Sequence, residues 1–349
     1  MNKSINIAVD VMGGDDSPAV PVKACARASL QMDVNFCLIG DEEKINKLLE
    51  QEKHDPGKIT ILHTFDHIGD NEFPRNIIRQ KKNASMNLAV KMCDDDKAQA
   101  VVSAGNTGAY ILSSLKNIPR IKGINKVAIV SLFPTKKFLT GRKKHYSLIL
   151  DVGANNDCSD EDLLQFAVMG KIYFTILTGK LNPKIYLLNI GDEAHKGGKI
   201  LVNAYQKLSD YPCLDFRGNI EGNKIFNGEA DVIVTDGFAG NVVLKTTEGM
   251  VESLLEIGKF AARKNIFWKA GLYLLNSGIQ KIKPLLDYSE YGGAPLLGFE
   301  KIVVKAHGRS NVKAFFNAIK IAKKSYENQL SEKISEELTN NREKNEINE

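Results

Sequence analysis

Short runs rich in β-branched residues alternate along the chain with longer segments whose apolar positions recur every three or four residues. "INIAVD" (5–10), "VNFCLIG" (34–40) and "KITILHT" (58–64) are of the first kind; "PAVPVKACARASL" and "DEEKINKLLEQEK", which separate them, are of the second. The order β-α-β-α-β predicts a mostly parallel sheet covered by helices on both faces. Further strands are expected in "AQAVVSA", "KVAIVSLF", "YSLILDVG", "KIYLLNIG", "ADVIVTDG" and "KIVVKAHG".

No repeat and no Pro/Gly/Ser-rich linker divides the pattern, so residues 1–330 read as one α/β domain of three-layer α/β/α type. From about 241 to 283 two helical patterns follow each other with no strand between them, more than a crossover needs. A protruding helical hairpin is the expectation there. Residues 331–349 are highly charged, lack an apolar stripe in their last dozen positions, and are expected to form a disordered tail.

The strand ends carry the chemistry. In an open α/β sheet, ligands bind in the loops that follow the carboxyl ends of strands. Five such corners pair glycine with Asp, Asn or His: "DVMGGDDSP" (10–18), "SAGNTGA" (103–109), "DVGANND" (151–157), "TDGFAGN" (235–241) and "KAHGRSN" (305–311). Glycine lets backbone N–H groups approach a ligand, and a helix that starts immediately afterwards adds unpaired N–H groups and a positive dipole end. Both features favour an anion. The expectation is that all five corners converge on one polar, glycine-floored cleft; a tight capped turn is the alternative for each corner alone.

Several classes are disfavoured. GxGxxG, GxxxxGK[ST] and GxSxG are all absent, which argues against a dinucleotide fingerprint, the phosphate loop of an ATP enzyme and a serine-nucleophile elbow. His63 and His67 are four apart but lack the accompanying Glu of a zinc-protease helix. No metal and no cofactor are expected. The five cysteines are dispersed and suggest reduced thiols. No signal peptide and no apolar run of about 20 residues is apparent, so a cytoplasmic protein is expected.

The 349 residues carry a net charge of +5, unevenly distributed. Residues 97–150 contain ten Lys or Arg and no Asp or Glu, and residues 257–286 repeat this with six cations. Such fields steer anionic partners, although a solvated face is the plainer reading of either stretch.

At its corners the sequence resembles the phosphate acyltransferase family, PlsX. "DVMGGDDSP", "SAGNTGA", "LDVGANNDC", "GNIEGNKIFNGEADVIVTDGFAGNVVLKTTEG" and "YSEYGGAPLLGFEKIVVKAHGRSN" occur in family order over residues 10–311. Two departures are notable: Asp16 stands where the family usually has His, and the loop before Asp151 is unusually basic. The resemblance implies a fold like phosphotransacetylases and isocitrate-type dehydrogenases, a homodimer, and no nucleic-acid partner. The implied reaction makes acyl phosphate from acyl-acyl carrier protein and inorganic phosphate, in bacterial phospholipid synthesis. It also implies peripheral contact with the inner face of the cell membrane and with a downstream membrane acyltransferase. A phosphotransacetylase-type enzyme using acyl-CoA is the alternative.

For that reaction Gly105, Asn106, Thr107 and Gly108 are expected to hold phosphate, with Lys245 or Arg309 as counter-charge. Asn155, Asn219 or Asn241 is the expected donor to the oxyanion, or else a loop scaffold, and His307 the proton shuttle. Asp10, Gly13, Gly14, Ser103, Asp151, Glu221, Asp236 and Gly237 complete the expected lining, the Asp residues more as loop organisers than as substrate contacts. Cys158 is the one candidate for a covalent route, with a packed small residue as its plainer reading. Arg142, Lys143 and Lys144, or the Lys116 to Lys126 cluster, are candidate docking groups for the acidic carrier protein. Phe267 and Trp268 are candidate lipid contacts, or part of a dimer interface.

Overall fold

Strands buried on both faces need few polar positions, and the runs identified above have few. The structure is a computed structural model that describes residues 4–69, 72, 80–137, 145–264, 267–271, 273–275 and 292–348. Its strands are β1 (Ile5–Asp10), β2 (Val34–Gly40), β3 (Ile59–His63), β4 (Ala100–Ser103), β5 (Ala128–Pro134), β6 (Tyr146–Leu150), β7 (Lys184–Asn189), β8 (Asp215–Glu221), β9 (Val232–Val234), β10 (Ala294–Leu297) and β11 (Ile302–Lys305). The helices are α1 (Ala19–Gln31), α2 (Glu42–Leu49), α3 (Ser85–Asp94), α4 (Thr107–Asn117), α5 (Asp160–Thr178), α6 (Gly198–Asp210), α7 (Gly237–Lys264), α8 (Val312–Glu327) and α9 (Leu330–Asn348).

The strands join in one sheet of order β3-β2-β1-β4-β11-β10-β5-β6-β9-β7-β8. Alternate residues of each strand enter separate cores. Ile7, Val9, Val102, Leu150, Val234 and Val304 pack on one face with residues of α1, α5 and α8. Ala8, Val101, Ile149, Ile233 and Val303 pack on the other with residues of α3 and α4, and Val243 and Leu244 of α7 lie against that second core. This is the three-layer α/β/α architecture the alternation predicts.

Sheet direction decides where the corners fall. β1, β2, β3, β4 and β11 are mutually parallel, and so are β6, β7, β8 and β9. Between the two sets, the pairs β11/β10, β10/β5 and β5/β6 are all antiparallel. Three reversals leave the second set pointing opposite to the first. The register is staggered, however: Val101 is level with Val303, Leu296 and Ile129, so Leu150, opposite Val130, comes within one residue of the level of Ser103. The carboxyl ends of β1, β4 and β11 therefore lie at the same level of the sheet as those of β6 and β9, the two sets pointing toward one another on either side of β10 and β5. The five corners form one group of three and one of two, which face each other across the middle of the sheet.

Two further differences have local causes. β8 and β10 were not expected as strands. β8 reads "DFRGNIE", with Gly218 at φ +100° and a register shift opposite Ile185 and Leu187. β10 reads "APLL", with a proline inside it. In place of a disordered tail from 331, α9 runs to Asn348, and Leu330, Ile334 and Leu338 at four-residue spacing are buried at its start. Lys171 of α5 pairs with Glu337 at 2.8 Å and fastens it further. Of the expected hairpin, α7 and the helical residues 267–271 and 273–275 are described; residues 276–291 and the basic loop 138–144, with Arg142, Lys143 and Lys144, lie outside the described residues.

Candidate active site

β1 ends on Asp10, a carboxylate with almost no exposure. Its Oδ1 accepts from the Ser85 hydroxyl at 2.7 Å and from the Met12 N–H at 3.1 Å, and its Oδ2 from the Ser103 hydroxyl at 2.7 Å. Burial pushes its carboxyl upward; the Ser85 and Ser103 hydroxyls, the Met12 N–H and the Lys305 charge oppose that shift. Ser103 in turn accepts from the Gly105 N–H at 3.1 Å. Asp10 thus holds the loop after β4 through one serine and organises rather than lines the site.

The β1 and β4 loops touch through bare backbone. A Cβ on Gly13 would sit 2.6 Å from the Gly105 nitrogen, so the contact requires glycine. The Asp15 N–H donates to the Gly308 carbonyl at 3.0 Å, which brings in the loop after β11. In the midst of these three loops α4 begins, with Asn106 as its N-cap accepting from the Ala109 N–H at 3.0 Å. Thr107 is exposed and Gly108 partly so. The first turn of α4 presents its N–H groups here, with the positive end of the helix dipole behind them.

Cations reach the same corner from two directions. His307 and Arg309 come from the β11 loop, and Lys245 from the third turn of α7. His307 Nδ1 accepts from the Arg309 N–H at 3.1 Å, which leaves the proton of the neutral ring on Nε2. Nε2 lies 3.9 Å from Glu248, which also pairs with Lys245 at 2.7 Å. Arg309 pairs with Glu252 at 2.9 Å. α7 thus carries a line of charge along the three-loop corner. Burial lowers the His307 pKa below its ordinary value, the nearby Glu248 charge raises it, and the Lys305, Lys245 and Arg309 charges lower it further.

The other corner is closed. Asp151, fully buried, accepts at Oδ1 from the N–H groups of Ile129, Gly153 and Ala154 at 3.0 to 3.1 Å. Its Oδ2 accepts from the Ala154 and Asn155 N–H groups and from the Asn155 amide at 2.8 to 3.1 Å. The Asn155 amide also donates to the Val127 carbonyl at 2.7 Å. Gly237 and Gly240 press directly on this knot: a Cβ would lie 2.2 Å from the Asn155 carbonyl oxygen at Gly237 and 1.9 Å from the Asp151 carbonyl oxygen at Gly240. Asp236 accepts from the Ala239 N–H at 2.7 Å and starts α7, and Asn241 lies against Gly153.

The expected lining therefore divides. Asp10, Gly13, Gly14, Ser103, Gly105, Asn106, Thr107, Gly108, Lys245, His307 and Arg309 assemble in the first group. Asp151, Asn155, Asp236, Gly237 and Asn241 assemble in the second, where the Asn155 amide is taken by Asp151 and the Val127 carbonyl. Asn219 and Glu221 sit on β8, with Asn219 abreast of Leu187 and Val234. The Asn219 amide donates to the Glu193 carbonyl at 2.8 Å, its buried Oδ1 has no partner among the described residues, and Glu221 lies 3.4 Å from Lys224. Cys158 is buried, and desolvation pushes its thiol up to about 12, the reverse of an activated nucleophile. Two residues escaped the sequence reading. Ser85 gave no signal, but Lys305, a lysine closing an otherwise apolar buried strand, did.

A family model described as "Fatty acid synthesis protein" matches residues 5–333. The phosphate acyltransferase of Dictyoglomus turgidum is 42% identical over 335 residues, covering 96% of this chain and 98% of the relative. The chain belongs to the phosphate acyltransferase family. It is accordingly an acyltransferase enzyme. A phosphotransacetylase from Streptococcus pyogenes matches with a TM-score of 0.64 at 16% identity, covering 96% of this chain and 95% of its own. A 4-hydroxythreonine-4-phosphate dehydrogenase from Klebsiella pneumoniae matches at 0.50 and 13% identity, covering 94% and 100%. At such identities the likeness is one of fold, and it agrees with the phosphotransacetylase and dehydrogenase type of sheet that the resemblance implied. Among the described residues no helix is long and apolar enough to cross a membrane.

Proposed function

We propose that the enzyme converts acyl-acyl carrier protein and inorganic phosphate to acyl phosphate and free carrier protein, with phosphate bound at the N-terminus of α4. One observation carries the reading: three glycine-bearing loops meet around that helix start, and His307, Arg309 and Lys245 stand beside it. Hydrogen phosphate is already dianionic near neutrality and needs no strong base. One of its oxygens attacks the thioester carbonyl carbon, a C–O bond forms, and collapse of the tetrahedral intermediate breaks the C–S bond. The proton of hydrogen phosphate ends on the departing thiol, whose pKa is about 8.5 by analogy with cysteine. Neutral His307, with its proton on Nε2, is placed to give that proton to sulfur and recover it from phosphate. N–H groups in the first turn of α4 supply fixed dipoles for the phosphate charge, so the site works chiefly by placement.

The raised Cys158 thiol favours this direct route over an acyl-enzyme. Rapid mixing with acyl-acyl carrier protein in phosphate-free buffer is expected to give no burst of free carrier, and addition of phosphate to release carrier and acyl phosphate in equal amounts. Release without phosphate would contradict the direct route. The acyl-CoA alternative predicts equal turnover with both donors in a competition assay; the carrier-protein reading predicts preference for the carrier.

The same reading extends to the surface. Lys116 and Lys122 near the end of α4 offer a basic face for the acidic carrier, whereas Lys126 is held to the Asp157 carbonyl and to Asp162. Past Lys264, Phe267 is 80% and Trp268 53% exposed, with Tyr273 and Leu274 beside them in the chain and equally open. That stretch suits loose contact with the inner face of a membrane or the second copy in a homodimer. Liposome flotation of Trp268→Ala and Phe267→Ala variants separates these: lost flotation supports lipid contact, and unchanged flotation counts against it.

A further inference from the structure

We propose that Lys305 is a positioning residue for phosphate, cancelling the buried Asp10 charge beneath the three loops while its ammonium fixes the backbone on either side of them. The inference rests on the reading that phosphate binds at the start of α4, and deepens it.

Lys305 closes β11, between Ser103 of β4 and Ala294 of β10, and only 7% of it is exposed. Its ammonium donates to the Ala104 carbonyl at 3.0 Å and to the Ala306 carbonyl. These carbonyls belong to the two loops that carry Gly105 to Gly108 and His307 to Arg309. In a planar trans peptide the C=O and N–H point in opposite directions, so the Ala306 contact turns the His307 N–H away from the ammonium. One side chain thereby sets the backbone of both loops.

The charge has a separate role. In its carboxylate form Asp10 accepts from two hydroxyls and an N–H and lies behind the Ser103 that supports Gly105. Left alone, its field would repel a dianion arriving at the next residues. Asp10, Ser103 and Lys305 stand side by side in register on three adjacent parallel strands, so the ammonium lies one strand beyond the serine that donates to Asp10 and its field opposes the carboxylate charge. Burying an ammonium is costly unless it is compensated, so a lysine at a strand position otherwise filled by Val or Ile calls for a charge to balance. Asp10 is the buried acid beside it.

The test uses the full chain and steady-state kinetics with both substrates varied. Lys305→Met is expected to raise the KM for phosphate at least tenfold with less than a threefold change in the KM for the acyl donor. Lys305→Gln, which keeps hydrogen-bond donors and drops the charge, is expected to show the same asymmetry between the two KM values to a smaller extent. Adding Asp10→Asn to Lys305→Met removes the charge that needed cancelling, and most of the loss in phosphate KM should be recovered. A merely structural lysine would move both KM values together and show no recovery; either result overturns the proposal. Should Lys305→Met fail to fold, Lys305→Gln with and without Asp10→Asn makes the same comparison, and absence of recovery there overturns it equally. Thr107→Glu keeps the first distinction clear. An acid at a helix start is compatible with the helix but repels phosphate. If Thr107→Glu leaves the phosphate KM unchanged, the location of the phosphate site is wrong; if it raises that KM while the Lys305 variants do not, the role of Lys305 alone is wrong.

Discussion

The corner at β1, β4 and β11 and the corner at β6 and β9 are written in the same residues and do opposite things. Each begins with a buried aspartate at a strand end, followed by glycine. Asp10 is satisfied mainly by serine hydroxyls, which leaves the first turn of α4 to face outward. Asp151 takes the N–H groups of Ile129, Gly153, Ala154 and Asn155 for itself. An aspartate that consumes its own loop's donors builds a joint; one that borrows hydroxyls from elsewhere leaves a site. The composition of a glycine corner does not distinguish the two, but the source of the donors does.

Substitutions in the two corners should therefore separate stability from phosphate use. The largest effect is expected for Gly240→Ala, whose Cβ would fall 1.9 Å from the Asp151 carbonyl oxygen; little folded enzyme should be recovered, as read by circular dichroism and size exclusion. Asp151→Ala follows, with several buried N–H groups left unpaired at about 1 to 3 kcal/mol each, so a loss of roughly 3 kcal/mol or more should appear in denaturant unfolding. The phosphate KM of whatever remains folded should be nearly unchanged. If Asp151→Ala unfolds normally but loses phosphate, the roles assigned to the two corners are reversed.

Removing charge at the open corner should do the converse. Arg309→Met and Lys245→Met sit on exposed ion pairs with Glu252 and Glu248, and exposed pairs contribute about 0 to 1 kcal/mol to stability. Their melting points should move little, while the KM for phosphate rises about tenfold, the equivalent of about 1.4 kcal/mol. A smaller effect is expected from pH. Burial holds His307 below its ordinary 6.5, so the neutral ring persists into mildly acidic solution. Turnover should decline only as pH drops through that lowered value, and a His307→Gln variant should lose this inflection. The same depression means that stability linked to this ring is complete above about pH 6.5 and is lost as pH falls through the folded-state value.

Much of the fold was legible because its strands announce themselves. Ile7, Val9, Val102, Val234 and Val304 sit in apolar runs that only a doubly covered sheet accommodates. β10 was not, since a proline and three flanking glycines mark "GGAPLLG" as loop. That omission has a large consequence: β10 supplies two of the three antiparallel pairings that reverse β6 and β9 relative to β1 and β4. Without it the sheet reads as nearly all parallel, and the way the two sets of strand ends face each other is lost. Within the open corner, Gly105 to Gly108, His307 and Arg309 were legible from their place at strand ends. Lys245 was legible only as a helix residue, because its approach depends on α7 running from the end of β9 to the β11 loop, where Glu248 and Glu252 meet His307 and Arg309. Ser85, at the start of a helix 75 residues from the Asp10 it supports, leaves no local trace.

The most direct test is a crystal structure of the full chain with inorganic phosphate bound. The account predicts phosphate at the first turn of α4, within hydrogen-bond distance of backbone N–H groups among residues 105–108 and beside His307 or Arg309. Phosphate seated between Asp151 and Gly237, with the start of α4 empty, would contradict it.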